Sequence, residues 1–150
     1  MEHLLIISEI IVQYKPKKAS RPKITTSYEA MTIARQFFPV DTIELQERFV
    51  VMYLNRANRV IGIYPLSVGG ISGTVADIRL ILSVALKAVA TCIILIHNHP
   101  SGNLTPSKAD LELTRRIKEA ASYMDIKVTD HLILSAVEGG YYSFADEGEL

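Results

Sequence analysis

The chain has 150 residues, 49% of them hydrophobic, and its 16 Lys and Arg balance 16 Asp and Glu to a formal net charge of zero. That length gives one domain with a real core, the apolar content excludes intrinsic disorder, and the balanced charge argues against a dedicated nucleic-acid binder with a basic face. The single cysteine, Cys92, excludes an internal disulfide framework; within the apolar run Thr91–Ile96 it reads as a small buried hydrophobe, in keeping with a reducing, cytoplasmic location.

Residues 4–14 read as a first strand, rich in Ile and Val. The segment is too short to span a bilayer, is broken by Ser8 and Glu9, and lacks the basic start and cleavage site of a signal peptide, so no membrane role is expected. Lys15–Lys23 is a basic run whose two prolines make it a solvated connection, without interleaved aromatics to stack on bases. Residues 1–26 are thus read as an N-terminal strand and basic linker, and residues 27–150 as the globular domain.

Thr26-Ser27-Tyr28-Glu29 has the form of a capping box and predicts a helix to about Phe38, ended by Pro39. Phe49–Leu54, a turn at Asn55–Asn58 and a return from Val60 to Leu66 predict a hairpin. Gly69, Gly70 and Gly73 mark an irregular loop. Residues 76–89 read as a well-buried helix, with Ile78, Leu82, Ala85, Leu86 and Val89 on one face and Leu80, Ile81 and Val84 widening it.

Ile93–His97 is a short, continuous apolar run, the pattern of a central strand covered on both faces. Residues 107–123 form an amphipathic helix with an inner stripe of Leu113, Ile117, Ala120 and Met124. On its outer side, Glu112 with Arg116 and Arg115 with Glu119 stand at i,i+4. Ile126–Ser135 and Tyr141–Phe144 supply late strands joined through Gly139-Gly140. The order β-α-β-β-α-β-α-β-β implies an α/β fold: a mixed sheet with helices packed on it.

The chemistry concentrates in His97-Asn98-His99-Pro100 and the following Ser107-Lys108-Ala109-Asp110. In extended backbone, residues i and i+2 point the same way, so both imidazoles face one ion. Pro100-Ser101-Gly102 ends the strand, with Gly102 serving a turn that needs positive φ, and the pair lies at the carboxyl end of a central strand. Asp110 has two readings. Ser107-x-x-Asp110 is a capping-box helix start, and Thr105-Pro106 is an alternative cap and first residue. A first-turn aspartate is also kept ionised by the helix N-terminus, which suits a ligand, so the readings are compatible. Two His and one Asp suit zinc and leave a fourth tetrahedral position open, as in catalytic zinc sites. Glu47 opens a strand, and spacing alone gives it no role. To reach the ion, its strand must run antiparallel to 92–97. His3 carries no expected function, and His131 reads as a strand histidine.

These residues carry a resemblance. Glu47, His97, His99, Pro100, Ser107 and Asp110 fit the JAMM pattern: a distant Glu, H-x-H-P, six residues, then S-x-x-D. His-Asn-His-Pro-Ser-Gly, the proline before Ser107, Asp130-His131-Leu132-Ile133 and Tyr142-Ser143-Phe144 resemble the RadC-like branch of the JAB/MPN metalloprotease superfamily. The resemblance covers roughly residues 25–147. It implies a cytidine-deaminase-like, three-layer α-β-α fold. One zinc ion per chain would be held by His97, His99 and Asp110, with Glu47 as general acid/base and Ser107 stabilising the oxyanion. Asp130 and His131 are candidates for orienting the ligands from behind. The implied activity is hydrolysis of peptide or isopeptide bonds in a peptide or protein substrate. The alternative, from the family's association with DNA repair, is a DNA-binding accessory using Lys15–Lys23. Larger RadC-like proteins often carry an N-terminal helix-hairpin-helix region, for which the residues before this domain are expected to leave no room.

Overall fold

The computed structural model describes residues 7–17, 20–70 and 74–150. The elements are α1 (Ser27–Ala34), a 3₁₀ turn (Arg35–Phe37), β1 (Arg48–Leu54), β2 (Val60–Val68), α2 (Ile78–Lys87), β3 (Cys92–Asn98), α3 (Lys108–Ser122), β4 (Lys127–Leu134) and β5 (Tyr141–Ser143). The strands form one mixed sheet in the order β2-β1-β3-β4-β5. β1 is antiparallel to both β2 and β3, β3 is parallel to β4, and β4 is antiparallel to β5.

The alternation of side chains along a strand builds three layers from this sheet. Val50, Met52 and Leu54 of β1 and Ile94 and Ile96 of β3 meet Ala30, Met31 and Ala34 of α1 on one face. Phe49, Val51, Tyr53, Ile93 and Leu95 meet Ile81, Leu82 and Ala85 of α2 and Ile117 and Ala121 of α3 on the other. Both faces of β1 and β3 are therefore covered, and this accounts for their unbroken apolar runs.

One register feature matters for the site. Between Ile93 and Ile94 the pairing of β3 with β4 slips by one residue, so that Ile93 faces Val128 but Ile94 faces Asp130, with Thr129 extra. A bulge of this kind reverses the alternation beyond it. Val128 thus packs on the α2/α3 face, whereas Leu132 and Leu134 pack on the α1 face. The odd-numbered His131 is thereby turned towards the α2/α3 side, the side of His97.

Several expectations need correction. Over residues 7–14 no strand forms, and residues 1–6 lie outside the described residues. Ile7, Ile10, Ile11 and Val12 are 72–88% exposed, and the Tyr14 hydroxyl, which donates to the Ile61 carbonyl at 2.9 Å, ties the segment to β2. Apolar composition without a neighbouring strand does not make a ladder. α2 is shorter than expected: Asp77 caps it by accepting from the Arg79 N–H at 2.9 Å, and Val89 leaves it at φ 56°. Leu86 and Val89 consequently face solvent, at 51% and 77% exposure. In α3, Thr114 and Ala121 are buried with Ile117, while Met124 lies beyond the helix end and is exposed. Arg115 takes both Glu112 and Glu119, at 2.8 and 3.0 Å, in place of the expected Glu112–Arg116 pair. Of the glycine loop, Gly73 lies outside the described residues.

Candidate metal centre

β3 carries His97 to the edge of the core and stops. His97 pairs in register with Phe49 of β1, their rings stack at 5.8 Å between centroids, and the imidazole is 1% exposed. His99 follows two residues on, just past the strand, and points the same way. Gly102 makes the turn at φ 81° and donates its N–H to the His99 carbonyl at 2.9 Å.

The chain then enters α3 through a complete capping box. Ser107 Oγ accepts from the Asp110 N–H at 3.0 Å, and Asp110 Oδ2 accepts from the Ser107 N–H at 2.8 Å. The box fixes the Asp110 side chain beside the two histidines, so capping and ligand placement are the same geometry. Asp110 Oδ1 is 3.4 Å from His97 Nε2, and Oδ2 is 3.1 Å from His99 Nε2.

The two Nε2 atoms lie 3.0 Å apart, and one ligand atom from each of His97, His99 and Asp110 fits within 4.8 Å of the others. The donor chemistry suits a cation. His99 Nδ1 is 2.6 Å from the Asn103 carbonyl, which has no hydrogen to give. Nδ1 therefore carries the proton, and neutral His99 turns a bare Nε2 towards the cluster. Burial opposes the charge on Asp110, but the close imidazoles of His97 and His99 and the hydrogen bond from the Ser107 N–H outweigh it and hold its carboxyl well below the usual range. The Asp110 carboxylate beside it favours the charged form of His99 and raises it above the ordinary imidazole value against the effect of burial. A half-buried anion with two imidazoles converging on it is a site that can hold a metal ion.

Glu47 immediately precedes β1, which runs antiparallel to β3. The start of one strand thus lies beside the end of the other, and Glu47 Oε1 is 4.0 Å from His97 Nε2. Burial pushes its carboxyl above the ordinary glutamate value, the nearby imidazoles of His97 and His99 partly offsetting it. Glu47, His99, Ser107 and Asp110 line a cleft of about 490 Å³ together with Pro100, Asn103 and Thr105. Ser107 uses its oxygen lone pair in the cap, and among the described residues its hydrogen has no acceptor.

Two contributors escaped the sequence reading. Asn98, between the histidines, points to the opposite face and is fully buried. Its Oδ1 accepts from the Arg48 N–H at 2.7 Å, and its Nδ2 donates to the carbonyls of Ile43 at 2.8 Å and Gln46 at 2.9 Å. Asn98 thus clamps the backbone on both sides of Glu47. The signal was present, since a polar residue on the covered face of a central strand must find partners. Thr114 is the second: its hydroxyl donates to the Asp110 carbonyl at 2.7 Å and lies 2.6 Å from His131 Nδ1.

His131 is fully buried, with Nε2 2.8 Å from His97 Nδ1, and burial lowers it well below the ordinary imidazole value. Asp130 faces away from the cluster. It accepts from Ser143 Oγ at 2.7 Å and from the N–H groups of His131 at 2.7 Å and Ala145 at 3.1 Å, tying β4 to the turn after β5. Its carboxyl is raised by burial, which these bonds oppose.

A mixed sheet between helices, with His-His-Asp gathered at the end of a central strand and a glutamate alongside, defines a JAB-type domain. The chain matches the RadC-like JAB domain family over residues 24–149 and belongs to it. Its relatives include a UPF0758 protein of Flavobacterium johnsoniae, 48% identical over 126 residues, which are 84% of this chain and 53% of the relative. A UPF0758 protein of Porphyromonas gingivalis is 44% identical over 130 residues, 87% of this chain and 56% of the relative. The chain spans about half the length of these curated relatives. Among the described residues, no helix is long and apolar enough to cross a membrane.

Proposed function

We propose that the protein is a zinc-dependent hydrolase of peptide or isopeptide bonds, working in the reducing cytoplasm. The observation that carries this reading is the convergence of His97 Nε2, His99 Nε2 and the Asp110 carboxylate within 4.8 Å, with Glu47 only 4.0 Å from His97. Bound there, zinc would polarise the scissile carbonyl and lower the pKa of water towards about 7.

The protein's own groups then have distinct tasks. The Glu47 carboxylate takes a proton from the attacking water and returns it to the leaving amine, so that amide and water become acid and amine. Its raised pKa brings it nearer the range useful for both steps. The free hydrogen of Ser107 is available to the oxygen that becomes negative as the carbonyl turns tetrahedral. His99 and Asp110, each fixed by a second hydrogen bond, hold their donor atoms without reorganisation. The cleft, lined also by Pro100, Asn103 and Thr105, is the space available to the substrate.

The test is cleavage of a pooled peptide and lysine-isopeptide library by zinc-loaded protein, read by mass spectrometry. Products that vanish on chelation and in Glu47→Gln support the reading. A fully zinc-loaded protein that cleaves no member, or one whose cleavage persists in Glu47→Gln, contradicts it.

A further inference from the structure

We infer that Thr114 and His131 are positioning residues that set the tautomer of His97 and so expose its Nε2 to the metal. The inference rests on the reading of His97, His99 and Asp110 as the ligands.

Thr114 Oγ1 approaches the Asp110 carbonyl to 2.7 Å. That oxygen has no hydrogen, so the hydroxyl spends its only one there, a bond back to residue i−4 that threonine makes readily in a helix. Towards His131 Nδ1, 2.6 Å away, Oγ1 can then only accept, and Nδ1 carries the proton.

The His131 ring is fully buried and stacked on Phe144 at 4.5 Å between centroids. Among the described residues its hydrogen-bond partners are Thr114 and His97, with no carboxylate between them. As a neutral ring it presents a bare Nε2 to His97 Nδ1 at 2.8 Å. His97 must therefore donate from Nδ1, and its own Nε2 is left bare, 3.4 Å from Asp110 Oδ1 and 3.0 Å from His99 Nε2.

Direction is imposed from one end. The chain of donors runs from His97 through His131 and Thr114 and terminates on the main chain of Asp110. One residue thus supplies a carboxylate to the site and the carbonyl that orients a second ligand. The sequence provides for this by placing Thr114 one helical turn after Asp110 and by the extra residue Thr129, which turns His131 to the correct face. Ligating histidines commonly give their second N–H to a carboxylate or a carbonyl. Here a second histidine takes that place, and it works only while its own proton is held on the far side.

The experiment uses the full chain labelled with ¹⁵N-histidine. Long-range ¹H–¹⁵N spectra of the metal-free protein should show protonated Nδ1 and bare Nε2 on both His97 and His131. Zinc affinity is then measured against a chromophoric chelator. Thr114→Val keeps the shape and loses the acceptor, and should weaken zinc binding about 10- to 100-fold. Thr114→Ser keeps the hydroxyl and should bind as the wild type does. A protonated Nε2 on His97 overturns the inference, as does Thr114→Val binding zinc like the wild type. If Thr114→Val does not fold, the wild-type spectrum decides. Should wild type and His97→Ala bind zinc equally poorly, the metal-site reading fails, whereas the tautomers are still read from the metal-free spectrum.

Discussion

Asn98→Ala is the perturbation whose cost can be worked most directly from contacts. The side chain is fully buried and makes three hydrogen bonds, to Arg48 N–H and to the carbonyls of Ile43 and Gln46. Each such bond contributes about 1 kcal/mol net, and a buried partner left unsatisfied costs at least as much, so the variant should lose about 3 kcal/mol or more. For a chain of this size that is a fall in midpoint of about 6–12 °C, measurable by calorimetry or denaturant titration. None of the three bonds involves His97, His99 or Asp110, so zinc stoichiometry should be unchanged. The strand start carrying Glu47 is freed, however, and a displacement of about 1 Å at a reacting group costs about 100-fold in kcat. A loss of stability under about 1 kcal/mol would refute the bookkeeping of these bonds. Lowered stability with intact kcat would refute the claim that Asn98 places Glu47.

Further outcomes follow from the same geometry. Ser107→Ala removes the cap of α3 and should cost about 1 kcal/mol, whereas Ser107→Gly costs only a few tenths. If the hydroxyl also serves the oxyanion, both variants should lose about 100- to 1,000-fold in kcat, and activity that follows the cap alone would contradict that role. Glu47 must be ionised to act as base, so activity falls as pH drops through its raised pKa. The acid limb of kcat/KM should lie above the ordinary glutamate range and disappear in Glu47→Gln, with kcat down about 100- to 10,000-fold; a limb at or below that range would count against the assignment. Zinc at 100 times its dissociation constant should stabilise the wild type by about 2.7 kcal/mol, seen as a rise in midpoint that is absent in His97→Ala; equal shifts in both would place the ion elsewhere.

Much of this arrangement is legible in the chain. The capping boxes at Thr26 and Ser107 mark helix starts because the residue types that satisfy orphan N–H groups are few. The unbroken apolar runs of β1 and β3 identify strands covered on both faces. His97 and His99 share a side because strand geometry leaves no other choice, and Glu47 reaches them because β1 runs antiparallel to β3. What was hidden depends on tertiary context. Residues 7–14 have strand composition but no partner strand, and pairing is not a local property. The bulge at Thr129 carries no recognisable sequence mark, yet it decides which face His131 joins. Asn98 reads as an ordinary polar residue until backbone groups 50 to 55 positions away are brought beside it, and Thr114 until the His131 ring, 17 positions on, meets its hydroxyl.

The central claim is that His97, His99 and Asp110 hold a zinc ion with room for a reacting ligand. X-ray absorption at the zinc edge of purified, zinc-loaded protein tests it most directly. The expected result is about one ion per chain, four-coordinate, with two imidazole nitrogens at about 2.0 Å, the remaining ligands being oxygen, and loss of the histidine signal in His97→Ala. A sulfur ligand, a shell without two imidazoles, or a spectrum unchanged by that substitution would contradict it.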